Sequence, residues 1–330
     1  MKKNPIIIEN LQIQDAGSEG KAIGRTENKV VFVPFAVPGD VCDVRIFKKR
    51  KNYLEGRIVK IHKYSDKRTD PLCKHFGVCG GCKWQNMGYQ HQLFYKQKQV
   101  EDNLTRIGHL DFPEISPILA SNNKFYYRNK LEFTFSNRKW FVDKKDLDEN
   151  PNKNGLGFHL PGMFDRILDL DECHLQAEPS DKIRLAARDY ALEKELTFYD
   201  VKSWQGFLRN IVIRNTSTGD LMVILVVNEH QQEDILDFLE YLKNGFPEIT
   251  SLHYVVNTKR NPDLSDLNIV HYSGEPFITE ELDGLKFRIG PKSFFQTNTA
   301  QALELYKKAL EFADLSGNET VYDLYCGTGT

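Results

Sequence analysis

Residues 20–41 read GKAIGRTENKVVFVPFAVPGDV and decide the fold of the first part of the chain. Short runs of β-branched and apolar residues alternate there with Gly, Pro, Asn and Asp, which favour turns. The same pattern continues on both sides, from IIIENLQIQD at residue 6 to GRIVKI, which ends at residue 61. Short strands at this spacing predict a small all-β barrel of five strands over residues 6–62.

The second half of the predicted barrel is basic. Residues 43–70 contain ten Lys or Arg against four Asp or Glu, whereas the whole chain of 330 residues has a formal net charge of −2. A basic edge on a small barrel is typical of nucleic-acid binding, although a charge run alone more often only keeps a surface solvated. The predicted nucleic-acid contacts are the four residues of the densest run, Lys48, Lys49, Arg50 and Lys51.

The composition is that of an ordinary globular protein, with 40% hydrophobic and 27% charged residues. No apolar run approaches the roughly 18 residues of a membrane span, and the first residues turn polar too soon for a secretory signal. We therefore expect a cytoplasmic protein with no membrane contact. In that reducing compartment, clustered cysteines are expected to bind metal or act in catalysis rather than form disulfides.

Three of the six cysteines lie in CKHFGVCGGCKWQ at residues 73–85, and Cys173 follows ninety residues later. Only Cys79 and Cys82 form a two-ligand turn, so the pattern of Cys73, Cys79, Cys82 and Cys173 is three plus one. That arrangement is typical of a [4Fe-4S] cluster held by four thiolates. Zinc is the alternative, because it also accepts four thiolates.

The middle of the chain alternates apolar strand patterns with amphipathic helix patterns. Residues 89–109 show apolar side chains at helical spacing and predict a helix that ends at Gly108. Runs such as KLEFTFS and LMVILVV, together with helical runs such as QEDILDFLEYLK, predict an α+β domain over the following residues, up to 283.

The last residues predict a second kind of binding site. LKFRIGPKSFFQTN reads as a strand and a loop, NTAQALELYKKALEFADL as a helix, and ETVYDLYCGTGT as a strand that ends in a glycine-rich turn. Such a turn is where a Rossmann-like sheet brings backbone N–H groups to a cofactor, although a lone Gly-x-Gly is a weak signal.

Taken together, these motifs resemble the 23S rRNA (uracil-5-)-methyltransferase family. The barrel resembles the TRAM domain, an OB-like RNA-binding barrel, and the cysteine cluster, GPKSFFQTN and YDLYCGTGT follow in the family's order. The resemblance implies methylation of uridine C5 in 23S ribosomal RNA with S-adenosyl-L-methionine as methyl donor. Transfer RNA is the alternative substrate.

The resemblance also implies roles for particular residues. Gln296, Tyr325 and Thr330 would contact the cofactor, Tyr325 by packing and the other two through polar groups. The catalytic cysteine and the base are expected beyond Thr330, so the chain shown is expected to be inactive alone. Cys42 and Cys326 are interpreted as small buried hydrophobic residues rather than nucleophiles.

The predicted fold class is multidomain. Residues 1–62 form the TRAM barrel, residues 63–86 and 120–283 a central α+β iron-sulfur domain, and residues 87–119 and 284–330 the start of a Rossmann-like α/β methyltransferase domain. The protein is expected to be a monomer. The alternative function is that of a non-catalytic iron-sulfur protein that binds RNA.

Overall fold

The computed structural model of the protein describes residues 5–149 and 152–330. The chain forms two compact units, Met1–Ala120 and Ser121–Thr330. No helix in the described part of the chain has the length and apolar character needed to cross a membrane.

The first unit begins with a closed barrel of five strands in the order β1-β2-β3-β5-β4. Neighbouring strands are antiparallel except β3 and β5, which run parallel. The barrel prediction is confirmed, because alternate residues of each strand point inward and fill the core with small and branched side chains. The strands are β1 Ile6–Ala16, β2 Lys21–Arg25, β3 Val30–Pro34, β4 Val41–Lys49 and β5 Tyr53–Lys63.

The predicted helix follows as α1, Tyr89–Asp102, and continues into a π-helical turn at Asn103–Ile107 before Gly108. Its apolar face is only partly buried: Leu93 is 8% exposed, whereas Ile107 is 76% exposed. The C-terminal end of this apolar face is therefore open to solvent.

The second unit is built on a seven-stranded sheet in the order β12-β11-β10-β9-β6-β7-β8. Its pairs are antiparallel except β10 and β11. The strands are β6 Lys130–Ser136, β7 Gly155–Leu160, β8 Met163–Asp169, β9 Leu208–Asn215, β10 Leu221–Val227, β11 Ser251–Val256 and β12 Val270–Gly274.

The two faces of this sheet are covered differently. On one face, the edge-to-face rings of Phe135 and Tyr190 against Phe238 join the sheet to α3 Ser180–Glu193 and α4 Gln232–Gly245. On the other face, a hairpin of β13 Ile278–Leu282 and β14 Leu285–Ile289 contributes to a core with β9, β10 and β11. The remaining helices are α2 Lys144–Glu149 and α5 Thr299–Ala313.

The predicted Rossmann-like start is not formed. Residues 319–326 make no strand, and Val321 is 67% exposed and Leu324 80% exposed. The predicted helix at α5 is confirmed, but its buried residue is Ala302, and Leu310 on its predicted apolar face is 63% exposed. The third domain of the predicted fold class is therefore wrong, because strand geometry requires hydrogen-bonded neighbours that this segment does not have.

Candidate functional site

The cysteine loop, Cys73–Cys82, is a series of tight turns in the first unit. The N–H of Phe76 donates to the carbonyl of Cys73 (3.1 Å), and the N–H of Cys79 donates to that of His75 (2.9 Å). The N–H of Gly81 lies 3.4 Å from Sγ of Cys79 and donates to it. The predicted turn between two thiols is therefore present, with a backbone amide directed at sulfur.

The loop does not gather a complete ligand set. Among residues 5–149 and 152–330, no three His, Cys, Asp or Glu side chains are close enough to hold a metal ion. Cys173 belongs to the second unit, where it is buried and its N–H donates to the Asp181 carboxylate (2.7 Å). The thiol chemistry suits iron or zinc, but this arrangement does not show an iron-sulfur site.

The predicted RNA-binding run lies at the end of β4 and in the turn to β5. Lys49, Arg50 and Lys51 are exposed, whereas Lys48 is partly buried and forms a 2.6 Å ion pair with Glu55 on β5. The charge of Lys48 is thus balanced across the hairpin. Lys49, Arg50 and Lys51 are the members of the run that present net positive charge to solvent.

The adjacent faces of β4 and β5 extend this basic edge. Arg45 and Arg57 are exposed and lie opposite each other in the antiparallel register. The Arg57 guanidinium lies over the ring of Phe47, 5.6 Å from its centroid, and Phe47 is 52% exposed. A cation beside an exposed ring is a common contact surface for single-stranded nucleic acid.

In the second unit, Gln296 lies in the segment between β14 and α5, Gly290–Asn298, which we call the FFQ loop. Its side chains alternate: Phe295 is 6% exposed and joins the core below the hairpin, whereas Phe294 is 71% exposed and Gln296 is also exposed. The buried Phe295 anchors the loop, so the exposed Phe294 and Gln296 are presented together.

Arg214 on β9 holds the first half of the FFQ loop. Its side chain is buried, and Nη1 donates to three backbone carbonyls, those of Gly290 (3.1 Å), Pro291 (3.4 Å) and Ser293 (3.0 Å). Burial lowers the pKa of Arg214 to about 10, which still leaves it charged at neutral pH. A buried cation with carbonyl partners fixes the loop path.

A buried polar chain holds the second half of the loop. Nδ2 of Asn129 donates to the carbonyl of Gln296 (2.7 Å) and to Oγ1 of Thr299 (2.9 Å). Thr299 in turn donates to Glu280 (3.0 Å), which is 1% exposed and also accepts from the Ser217 N–H (3.0 Å). The backbone of Gln296 is therefore fixed, although its side chain is open to solvent.

Two charged residues, Lys130 and Glu132, lie at the start of β6, just after Asn129. Burial lowers the pKa of Lys130, assisted by the charge of Arg214, which lies opposite it on β9. Burial also raises the pKa of Glu132, although this residue keeps an exposed surface. Groups with perturbed pKa values are typical of functional sites, and Lys130 lies opposite Arg214, the residue that holds the FFQ loop.

The remaining residues that the sequence analysis named differ in exposure. Tyr325 is 95% exposed and packs on nothing, and exposed Thr330 lies 3.3 Å from the hydroxyl of Tyr306. Cys42 is buried as expected, and burial raises the pKa of its thiol to about 11. Cys326 is exposed, so its interpretation as a buried hydrophobic residue is wrong.

The chain is similar to known proteins in sequence and in fold. Residues 6–59 match the TRAM domain family. Over 319 residues the chain is 50% identical to an uncharacterized RNA methyltransferase of Bacteroides thetaiotaomicron. The alignment covers 95% of this chain and 70% of that protein. The chain belongs to the RNA methyltransferase family. A second member, an uncharacterized RNA methyltransferase of Porphyromonas gingivalis, is 49% identical over 97% of this chain and 70% of its own length.

A solved structure shares the fold. The tRNA (uracil-54, C5)-methyltransferase of Pyrococcus abyssi, in complex with S-adenosyl-L-homocysteine, matches with a TM-score of 0.65 and 26% identity. The match covers 92% of this chain and 64% of that one, so the chain spans less than two thirds of the neighbour's length.

These matches correct the predicted fold class. The RNA methyltransferase relative aligns with 95% of this chain and the solved structure with 92%. The predicted division into a barrel, a central domain and the start of a Rossmann-like domain is therefore wrong as a description of the described residues, in which residues 319–326 form no strand, and the predicted inactivity is not supported. The chain has a TRAM barrel followed by a unit that shares the methyltransferase fold.

Sequence reasoning singled out Gln296 but did not identify the residues that hold its backbone. Asn129, Arg214 and Glu280 act through partners 19 to 170 residues away. One signal was present: an arginine at an inward position of the apolar run FLRNIVIRNT needs buried acceptors.

Proposed function

We propose that the protein methylates C5 of uridine in RNA and uses S-adenosyl-L-methionine as the methyl donor. The observation that carries this proposal is the shared fold with a uracil-C5 methyltransferase whose structure contains S-adenosyl-L-homocysteine, the product of the donor. The identity of 50% with an RNA methyltransferase over 95% of the chain supports RNA as the substrate class.

The FFQ loop is the proposed cofactor contact of this chain. Gln296 offers an amide to a polar group of the cofactor, and Asn129, through the Gln296 carbonyl, keeps that amide at one place on the surface. A side chain on a fixed backbone binds with a smaller loss of conformational entropy than one on a mobile loop. Tyr325 and Thr330 are proposed as further cofactor contacts on the family resemblance.

The basic barrel edge is the proposed RNA contact of the first unit. Lys49, Arg50 and Lys51 are exposed and can neutralise phosphates, which gives affinity and position without sequence preference. The target uridine must leave its stack to expose C5, so a single-stranded or flipped nucleotide is required.

We propose 23S ribosomal RNA as the substrate. Transfer RNA is the second candidate, favoured by the solved neighbour, which acts on uracil-54 of tRNA. The natural protein should therefore transfer labelled methyl groups from S-adenosyl-L-methionine to unmodified 23S rRNA, and nuclease digestion should give 5-methyluridine. Methylation of tRNA alone would select the second substrate, and no 5-methyluridine in either RNA would refute the function.

Cofactor binding is tested separately by isothermal titration. Replacing Gln296 by Ala removes one amide, so the affinity for S-adenosyl-L-homocysteine should fall by roughly 5- to 10-fold, as expected for about one hydrogen bond. Gln232→Ala is the matched control, because Gln232 is an exposed glutamine at the start of α4. Equal affinities of the two variants would remove Gln296 from the cofactor site.

A [4Fe-4S] cluster on Cys73, Cys79, Cys82 and Cys173 is also part of the proposal. Its support is the spacing of the thiols and the Gly81 amide directed at sulfur. Protein purified without oxygen should contain about four iron atoms per chain and show a broad absorbance band at about 400 nm. A colourless protein with one zinc atom per chain would instead support zinc as the bound metal.

We further propose that the protein is a monomer and that it is located in the cytoplasm.

A further inference from the structure

A cleft of about 630 Å³ lies within the first unit, outside the residues assigned above to cofactor or RNA. Its walls come from the loop after β3, the segment after β5 and the cysteine loop. Its lining includes Phe35, Tyr64, Arg68, Phe76, Gly77 and Asn86. The cleft therefore combines aromatic rings with amide and guanidinium donors.

One wall is built from a strained residue. Phe35 has a φ of +61°, a left-handed conformation that a bulky side chain rarely adopts. Its carbonyl accepts hydrogen bonds from Nη2 of Arg68 (3.1 Å) and Nδ2 of Asn86 (2.8 Å). These two donors hold the residue, and its ring meets the edge of Phe76 at 5.4 Å. Strain of this kind persists where the surroundings over-determine it, often at binding sites.

The opposite wall is an exposed ring beside a fixed cation. Tyr64 is 67% exposed, and the Arg68 guanidinium lies 5.6 Å from its ring centroid. Arg68 is in turn locked by the buried Asp40 carboxylate, at 2.8 Å from Nε and 2.7 Å from Nη2. Because the charge of Arg68 is balanced by Asp40, this wall favours stacking over phosphate pairing.

We propose that this cleft binds the base of one unpaired RNA nucleotide, stacked against Tyr64. Every base has a flat π-face, and stacking on an aromatic side chain is the common way of holding single-stranded RNA. Gly77 leaves open space at the cysteine loop, since a Cβ there would meet nothing within 4 Å. That RNA is the ligand rests on the proposed function; the stacking geometry rests on the cleft alone.

The proposal separates two kinds of RNA contact in one unit. The basic run contributes through counterion release, which depends on salt. The cleft contributes through stacking, which depends little on the salt concentration. Loss of the Tyr64 ring should therefore lower affinity without changing the slope of log affinity against log salt.

The test is fluorescence anisotropy of labelled single-stranded fragments of ribosomal and transfer RNA, measured with the full chain over a range of salt. Tyr64→Ala should weaken binding by about 5- to 100-fold, the range found for removal of one stacking aromatic. Tyr64→Phe keeps the ring and should bind like the parent. Phe94→Ala, which removes an exposed ring on α1 outside the cleft, is the matched control and should also bind like the parent.

A second measurement uses the unmodified protein. RNA carrying 5-iodouridine should cross-link under ultraviolet light to Tyr64 or Phe76, located by peptide mass spectrometry. Parent-like affinity of Tyr64→Ala, a changed salt slope, or cross-links confined to other peptides would each overturn the proposal. RNA binding that depends on Tyr64 in a protein that forms no 5-methyluridine would support the cleft and refute the proposed function.

Discussion

Asp40, the last residue of the Pro-Gly-Asp turn in the barrel, is fully buried and accepts four hydrogen bonds. One carboxylate oxygen accepts from Nε of Arg68 (2.8 Å) and the N–H of Ser65 (3.0 Å). The other accepts from Nη2 of Arg68 (2.7 Å) and the N–H of Val37 (2.7 Å). The informative perturbation is Asp40→Asn, which keeps the shape and removes the charge.

The expected cost follows from counting donors. Asparagine has one carbonyl oxygen and one NH2 group, so whichever way it turns, two donors meet an NH2 group in place of an oxygen. Hydrogen bonds to charged groups contribute about 1.5–3 kcal/mol each. The Arg68 cation also loses its buried counter-ion. We expect the free energy of opening of the barrel to fall by about 3–5 kcal/mol, the range for breaking a buried ion pair.

Hydrogen exchange of the full chain, followed by mass spectrometry, measures this quantity for β3 and β4 without assuming that the two units unfold together. Asp66→Asn is the control, because the Asp66 side chain is 92% exposed and its Lys67 contact is at 3.6 Å. That change should cost less than about 0.5 kcal/mol. A loss below about 1 kcal/mol for Asp40→Asn would refute the donor count.

Three further outcomes are expected. Burial lowers the pKa of His253 to about 4, so protonation favours the unfolded chain. As the pH drops below about 6.5, the opening free energy of β11 measured by hydrogen exchange should decrease, by about 2 kcal/mol at pH 5. No decrease would contradict a buried neutral imidazole. Exchanging Lys49 and Lys51 together for Gln should reduce the slope of log affinity for RNA against log salt by about 1.4–1.8. Lys48→Gln should leave this slope nearly unchanged, because Lys48 is paired with Glu55. Equal effects would contradict the ion pair of Lys48. Arg214→Met should lower the local opening free energy of the FFQ loop by about 3 kcal/mol in hydrogen exchange, and unchanged protection would mean that its three carbonyl contacts do not hold the loop.

The barrel could be predicted from the sequence because its information is local. Alternation of apolar and polar residues between turn residues specifies which side chains face inward, and the closed barrel of five strands follows. The turn at Cys79 and Cys82 and the existence of α5 were also predictable, since a short spacing and a helical period depend only on neighbours along the chain.

The same local reasoning failed at the end of the chain. The run ETVYDLY has the composition of a strand, but no strand forms there, because a strand is completed by partners that composition does not specify. The glycine-rich segment after it does form turns, at residues 327–329, because turn formation depends on local residues. Its role as a cofactor loop stays a prediction.

What the sequence by itself determined is therefore the type of most local elements, such as the barrel strands and α5. The cofactor role of Gln296 stays a prediction. The tertiary structure alone decided which charges are balanced and which loops are held: Lys48 is paired with Glu55 across a hairpin, and Arg214 reaches carbonyls 76 to 79 residues away. The physical reason is that periodicity records whether a side chain is inside or outside, whereas a hydrogen bond or ion pair requires two distant segments to lie within about 3 Å of each other.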